Sequence, residues 1–303
     1  MEITTIKNEH FGECMVLSND SVELHVTMDI GPRIIHCALK GKENMFFQDK
    51  EKATLGDKYD IFADQFKLYG GHRLWISPEI VPRCYHPDNE PVTATVIEGG
   101  MRFTAAIEKH NNIQKSISVT LDEDSPRVKL VHSVRNTGLF DKQFGLWAIS
   151  MMSAGGVHVM PMPSRQTGFL PNRNFTFWDY TKLNDFRLHF GEKYVTLKQD
   201  GTSEGAFKLG YNNEAGWSAY FNHGQVFVKY FEPVLDGFYP DNGCSFETYT
   251  NANMLETEVL GEILDIEPDD FAILEEEWEL YESDGVKDPQ DEAEISAVLA
   301  EFM

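Results

Sequence analysis

The sequence N-A-N-M-L-E-T-E-V-L-G, residues 251–261, places two carboxylates two positions apart in an apolar segment of β-strand character. Side chains two residues apart in a strand point to the same face of the sheet. Glu256 and Glu258 therefore share one face, and Leu255 and Val259 take the other. Such a strand can pack on one side and present a general base on the other. An ordinary solvated sheet face has the same pattern, because Glu is mostly an exposed residue.

Period-2 alternation of apolar and polar residues recurs along most of the chain. It is present in residues 23–30, 103–107 and 117–134, and turn-forming Gly, Pro, Asn and Asp residues separate these segments. Many short strands at this spacing predict an all-β sandwich or barrel. The last residues, about 289–302, have helical spacing instead. We expect a single domain over residues 1–303 with this short helix laid against it.

Composition narrows the classes of partner. The 303 residues include 49 acidic and 26 basic residues, which gives a formal net charge of −23. Nucleic acid and anionic membranes attract clustered Lys and Arg, so neither is an expected partner, whereas a neutral sugar meets no repulsion. The four cysteines are scattered without a C-x-x-C pair, and no apolar stretch is long enough to span a membrane. We expect a cytoplasmic protein with reduced, buried cysteines and no metal or cofactor. The composition is compatible with a monomer or a homodimer.

The segment G-G-H-R-L-W-I-S-P-E, residues 70–79, concentrates side chains that suit a binding site. Its two glycines allow close approach of the backbone to a ligand or to a neighbouring strand. His72 can exchange a proton near neutral pH, Arg73 offers forked donors, and Trp75 offers an apolar platform with one donor. The alternative is a tight turn with a packed Trp and an ion pair between Arg73 and Glu79.

Two further residues depart from the alternation, and one segment lacks it. Lys229 shares a strand face with phenylalanines, so it either pairs with a site carboxylate or reaches solvent from a strand end. His132 lies on an apolar face, where a hydrogen-bonded core histidine is the expected interpretation. Residues 161–187 are rich in Pro, Arg and aromatic residues, which predicts a long ordered loop of the kind that often binds ligands.

Four segments together resemble the galactose mutarotase-like (aldose 1-epimerase-like) superfamily, in particular a bacterial branch of it. The first is the predicted strand pair at residues 21–39, and the second is the G-G-H-R segment at residues 70–79. The third is F-G-L-W-A-I-S-M-M-S-A-G-G, residues 144–156. The most specific is E-T-Y-T-N-A-N-M-L-E-T-E-V-L-G, residues 247–261, which contains the acid-bearing strand. It is followed by a turn and a strand that ends in E-W-E-L, residues 277–280.

The resemblance implies a β-supersandwich with a sugar-binding cleft on the concave face of a large antiparallel sheet. It also implies a general base on the late strand, and Glu256 is the matching position. This carboxylate would take the proton from the anomeric hydroxyl as the sugar ring opens, while a His protonates the ring oxygen. The expected partner is therefore a small-molecule carbohydrate.

The sequence departs from the family pattern at the acid. The family's acid His precedes a Tyr-Phe-Asn-Leu stretch, but the corresponding residues 144–156 contain no His, and we expect Trp147 to line the cleft there. His72-Arg73 replaces the family's Asn-Arg pair, and we expect His72 to serve as the acid on its chemistry alone. The catalytic candidates are thus Glu256 and His72. The substrate-binding candidates are Arg73, Trp75, Glu79, Trp147, Lys229 and Glu258.

Three functions follow from these residues. The first is an isomerase of the aldose 1-epimerase type acting on an unidentified aldose or sugar derivative. The second is a carbohydrate-binding or sensing module without turnover, which the missing family His favours. The third is an accessory domain of a lyase or hydrolase, which a fold-level resemblance alone does not exclude.

Overall fold

The computed structural model describes residues 1–52 and 65–303. In these residues the chain is built almost wholly from β-strands. In chain order the strands are β1 (Glu2–Asn8), β2 (Gly12–Ser18), β3 (Val22–Thr27), β4 (Ile34–Leu39), β5 (His72–Ser77), β6 (Thr93–Ile97), β7 (Gly100–Thr104), β8 (Ile113–Leu121), β9 (Arg127–Asn136), β10 (Lys142–Ser153), β11 (Val157–Pro161), β12 (Phe175–Phe177), β13 (Leu188–Phe190), β14 (Tyr194–Lys198), β15 (Phe207–Tyr211), β16 (Trp217–Asn222), β17 (Gln225–Phe231), β18 (Phe246–Thr250), β19 (Met254–Leu260), β20 (Leu264–Ile266) and β21 (Phe271–Glu282).

The strands form two antiparallel sheets. Within the described residues, the first sheet has eleven strands in the order β1-β2-β3-β4-β5-β10-β19-β18-β15-β12, with β20 paired to β10. The second has ten strands in the order β13-β14-β11-β16-β17-β21-β9-β8-β7-β6. The two sheets face each other across one large apolar cluster to which both contribute. The predicted all-β sandwich is therefore confirmed.

Short helical segments complete the described structure. A 3₁₀ turn covers Arg83–Tyr85, a single helical turn covers Pro240–Gly243, and the C-terminal helix covers Glu292–Leu299. The C-terminal helix is shorter at its start than the predicted 289–302, because the carboxylate of Asp291 caps it by accepting hydrogen bonds from the backbone N–H groups of the first turn. No helix in the described ranges combines the length and apolar character that crossing a membrane requires.

The core between the sheets explains the parity of the acid-bearing strand β19. Leu255 and Val259 are fully buried in the apolar cluster, which also contains Trp278 from the second sheet. Burial of such side chains contributes roughly 1.5–3 kcal/mol each. A one-residue slip of β19 would turn these side chains out and the glutamates in, so the burial fixes the register.

The two glycines ahead of β5 set its position. Gly70 and Gly71 both have positive φ, at +88° and +70°. A Cβ atom on Gly71 would lie 2.4 Å from the carbonyl oxygen of Ile34, and one on Gly70 would lie 2.3 Å from that of Phe47. The expected close approach of backbone to backbone is confirmed, and it brings β5 into the sheet between β4 and β10.

Candidate functional site

Strand register gathers the candidate residues on the face of the first sheet that points away from the core. Glu256 pairs with Met151 of β10 and with Tyr249 of β18. Glu258 pairs with Ile149, which in turn pairs with Arg73 of β5. Residues opposite one another in neighbouring strands share a face of the sheet. Arg73, Glu256 and Glu258 therefore lie on one surface although they are far apart in sequence.

This surface forms the floor of a cleft of about 380 Å³. Aromatic side chains make up much of its wall, and two of them come from the long segment between β11 and β14. The lining residues are Leu68, Arg73, Trp75, Glu79, Tyr85, Trp147, Ile149, Trp178, Tyr180, Ala206, Lys208, Tyr249, Asn251, Met254 and Glu256. An aromatic cleft with a few polar groups is the usual form of a small-molecule site.

Glu256 is the carboxylate of this cleft that is both buried and available. Its side chain is 12% exposed, and its Oε1 lies 3.6 Å from Nη2 of Arg73. Burial, and next the charge of Glu258, raise the pKa of Glu256 to about 7 against the opposing charges of Arg73 and Lys208. A carboxyl group with such a pKa can accept and release a proton near neutral pH, which is the property of a general base.

Arg73 is held in place by contacts on several sides. Its Nη1 donates to Sδ of Met151 at 3.4 Å, and its guanidinium carbon lies 4.3 Å from the centre of the Trp75 ring. A guanidinium stacked on an indole is favourable, and the stacking leaves its edge free to donate in the plane. Arg73 therefore stands beside Glu256 as a fixed cationic donor.

Glu258 belongs to a buried ionic network beside Glu256. Its Oε2 accepts from Nε1 of Trp147 at 2.8 Å and lies 3.2 Å from Nζ of Lys208. The same Nζ lies 2.6 Å from Oε2 of Glu247 and 4.6 Å from the ring centres of both Trp147 and Trp178. Burial lowers the pKa of Lys208, but the charges of the two glutamates outweigh it and place the pKa well above the ordinary value. The network fixes the position of Glu258, whose negative charge helps to raise the pKa of Glu256.

The cleft brings together most of the substrate-binding candidates. Trp75, Trp147 and Glu79 line it beside Arg73, and Tyr85 donates its hydroxyl hydrogen to Glu79. Glu258 lies just beneath, fully buried. Their roles toward a ligand stay predictions, whereas their placement at one site is a property of the fold.

His72 lies on the other face of β5 and does not reach the cleft. Its Nδ1 lies 2.8 Å from Oγ of Ser150, and its Nε2 lies 2.7 Å from Nε2 of His132. Burial, and then the neighbouring positive charges, lower its pKa well below the ordinary value. The placement does not support His72 as the acid partner of Glu256. The physical reason is strand parity, because His72 and Arg73 are consecutive and point in opposite directions.

Lys229 is also a core residue, not a cleft residue. It is fully buried, and its Nζ donates to the backbone oxygen of Thr257 at 3.3 Å and to Oε1 of Glu276 at 3.2 Å. Neither alternative for this residue applies, because its carboxylate partner Glu276 lies in the interior between the sheets and Lys229 does not reach solvent. His132 is a hydrogen-bonded core histidine as expected, with Nδ1 3.1 Å from the backbone oxygen of Leu274.

Sequence reasoning missed several lining residues. The first two are Lys208, which alternates with the apolar Phe207 and Leu209 on β15, and Tyr249, which alternates with the buried Thr248 and Thr250 on β18. Trp178 and Tyr180 fall in the segment predicted to be a binding loop, and they line the cleft from it. Parity on β15 and β18 is the signal that could have found the first pair.

Two clusters of side chains that could together bind a metal ion lie outside the cleft. In the described residues, two groups of three have their ligand atoms within 4.8 Å of one another, Glu23 with His25 and His36, and His72 with His132 and Glu276. All four cysteines are free and buried, as the sequence predicts.

Several solved structures share the fold of this chain. Similar solved structures include the Slr1438 protein from Synechocystis sp. PCC 6803, with a TM-score of 0.58 and 11% identity over 88% of this chain and 94% of that one. A galactose mutarotase-like protein from Lactobacillus casei ATCC 334 has a TM-score of 0.57 and 10% identity over 88% and 100% of the two chains. A galactose mutarotase-like protein from Clostridium acetobutylicum has a TM-score of 0.50 and 12% identity over 93% and 98%.

The chain therefore has the galactose mutarotase-like β-sandwich fold, and its cleft lies on the exposed face of the larger sheet. At such low identities the likeness establishes the fold alone. No protein-family model matches the chain, and a search of curated proteins finds no matching relative.

Proposed function

We propose that the protein binds an aldose or a sugar derivative in this cleft and interconverts its anomers with Glu256 as the general base. The observation that carries the proposal is the state of Glu256, a carboxylate on the cleft floor whose pKa is raised to about 7 and whose Oε1 lies 3.6 Å from Arg73. A base with a pKa near the operating pH is well matched to proton transfer.

The aromatic lining supports a sugar as ligand. Indole and phenol rings provide apolar faces for the C–H face of a pyranose, and their N–H and O–H groups hydrogen-bond hydroxyls. Trp75, Trp147 and Trp178 supply such rings from three parts of the chain. Arg73 supplies donors for a ring or anomeric oxygen on the same side as the base.

The reaction conserves atoms and needs no cofactor. Glu256 accepts the proton of the anomeric hydroxyl, the bond between C1 and the ring oxygen breaks, and the ring oxygen takes a proton from an acid. Rotation about the C1–C2 bond presents the other face of the aldehyde, and the same steps in reverse close the ring. Positioning both groups on strands and packed loops lowers the barrier by fixing their geometry.

The acid is assigned to a tyrosine. None of the described residues that line the cleft is a His, and residues 53–64 contain no His either. Tyr180 and Tyr249 line the cleft, and burial raises the pKa of both phenols above their ordinary value, so both carry their protons at neutral pH. A phenol is a weaker acid than an imidazolium, so slow turnover is expected.

The second candidate function is carbohydrate binding without turnover. The observation that favours it is the position of His72 in the core, so that none of the described residues lining the cleft is a histidine. The same aromatic residues would then bind a sugar, and Glu256 would accept a hydrogen bond from a hydroxyl instead of removing its proton.

One experiment separates the two. Freshly dissolved α-anomers of a panel of neutral aldoses are followed by polarimetry with the parent protein and with Glu256→Gln, and thermal shifts are recorded for the same sugars. Catalysed equilibration that the variant loses by about 100-fold or more supports the enzyme, since general base catalysis contributes about 10²–10⁴-fold. Stabilisation by a sugar without equilibration supports the binding module, and equal rates for parent and variant contradict the role of Glu256.

A further inference from the structure

A second cluster of chemically active side chains lies on β3 and β4, outside the cleft. Glu23 and His25 are two residues apart on β3 and so share a face, and His36 of β4 pairs directly with His25. Nε2 of His25 lies 2.9 Å from Oε1 of Glu23, and the two imidazole rings are stacked with centroids 4.3 Å apart. One ligand atom from each of the three residues lies within 4.8 Å of the others.

The backbone is irregular at this point. The register between β3 and β4 shifts between His25 and Val26. A bulge of this kind re-aims a side chain and often occurs beside a functional site. Here the shift lies next to the cross-strand pair of His25 and His36. The neighbouring Leu24 and Val26 are fully buried, so the opposite face of β3 packs against the core.

The three side chains are partly exposed, as ligands of an exchangeable metal ion are. The side chain of His25 is 15% exposed and that of Glu23 is 33% exposed, so an ion can enter and keep a water ligand. Two imidazoles and one carboxylate are a common set of protein ligands for a divalent transition-metal ion, with a fourth position open for water.

The buried group of His72, His132 and Glu276 is the weaker alternative. The ammonium group of Lys229 already lies 3.2 Å from Oε1 of Glu276, and the two histidines already contact each other at 2.7 Å. A divalent cation there would face a buried positive charge. At the β3–β4 cluster, Glu23 instead supplies a negative charge directly to the ligand set.

We propose that Glu23, His25 and His36 form a binding site for one divalent transition-metal ion, with zinc as the representative ion. The ion replaces the hydrogen bond between Glu23 and His25 and joins β3 to β4 where their ladder is irregular. It stabilises the native chain because the unfolded chain lacks the preformed site. The site is independent of the cleft and of the proposed sugar chemistry.

The test uses chelator-treated full-length protein titrated with Zn²⁺ alone by isothermal calorimetry. The expected result is one ion per chain, with affinity reduced by about tenfold or more in His36→Ala and in Glu23→Gln, since loss of even an outer-shell partner of a metal ligand costs about 10–100-fold. His110→Ala, at an exposed loop position, is the matched control and retains parental affinity.

Circular dichroism checks that each variant is folded. Any variant that does not fold is replaced by His25→Gln, which preserves size and polarity. X-ray absorption at the zinc edge of the loaded parent should show two imidazole nitrogens at about 2.0 Å. The proposal is overturned by an absence of saturable binding, by parental affinity in the folded His36→Ala variant, or by an edge spectrum without two histidine ligands.

Discussion

Glu256→Gln should make the stability of the protein less sensitive to pH, and the sign follows from the position of the carboxyl group. The pKa of Glu256 rises from 4.5 to about 7 in the folded chain. Between these values the native state holds a proton that the unfolded state has released. The contribution of this carboxyl group to the free energy of unfolding is therefore fully present below about pH 4.5 and is lost as the pH rises through 7.

The magnitude follows from the same shift. Each pH unit between the two pKa values changes the free energy of unfolding by about 1.4 kcal/mol. Between pH 5 and pH 8 the parent thus loses about 2–3 kcal/mol that the glutamine variant does not lose. In the parent, Glu256 is protonated at pH 5 and ionised at pH 8, so it attracts Arg73 by charge only at pH 8, and this attraction is already included in its folded-state pKa. Glutamine also changes the hydrogen bonding at both pH values, so the change in stability between the two pH values is the quantity to compare.

Urea unfolding of parent and variant at pH 5 and pH 8 measures this quantity directly. The contributions of the other acids cancel in the comparison, and Glu275→Gln, at an exposed position on β21, shows what an exposed carboxylate contributes. The expected result is a stability advantage of Glu256→Gln that grows by about 2–3 kcal/mol from pH 5 to pH 8. An advantage that is constant or shrinks with rising pH would refute a buried, proton-holding Glu256.

Three further substitutions test the surroundings of the cleft. Lys208→Met should lower the free energy of unfolding in urea by about 3–5 kcal/mol, because it leaves two buried glutamates without their cation. The control Lys198→Met, at an exposed strand end, should change it little, and equal losses in the two variants would contradict the network. Leu255→Ala should lower the free energy of unfolding by about 2–5 kcal/mol, because it leaves a cavity in the core. The dissociation constant of a bound sugar should stay at the parental value, and weaker binding in the folded variant would contradict the placement of Leu255 on the core face of β19. Trp147→Phe should cost about 1–3 kcal/mol, because Glu258 loses a buried donor, and a change within experimental error would show that this hydrogen bond contributes nothing.

Local parity was the part of the structure that the sequence predicted best. The alternation in residues 254–260 correctly placed Glu256 on one face and Leu255 in the core, because side-chain direction in a strand depends only on position. The resemblance to mutarotase-like proteins then supplied the sandwich, which the fold comparison confirms. The same parity separates His72 from Arg73, because consecutive side chains in a strand point to opposite faces and only Arg73 faces the cleft.

Long-range pairing was the part that the sequence did not reveal. Lys208 meets Glu258 because β15, β18 and β19 are consecutive in the sheet, and that order results from nonlocal strand pairing. Lys229 illustrates the same limit, since its partner Glu276 is contributed by a neighbouring strand of the second sheet. Residue type and spacing predict that a buried lysine needs a carboxylate, but the identity of that carboxylate depends on the topology.

The pH dependence of anomer equilibration tests the central claim most directly. The parent's kcat/KM for a sugar that it turns over reports the ionisation of the free protein. With Glu256 as a base of pKa about 7, kcat/KM should rise about tenfold per pH unit below 7 and level off above 8. A profile that stays flat from pH 5 to pH 8, or that falls as pH rises, would contradict Glu256 as the general base.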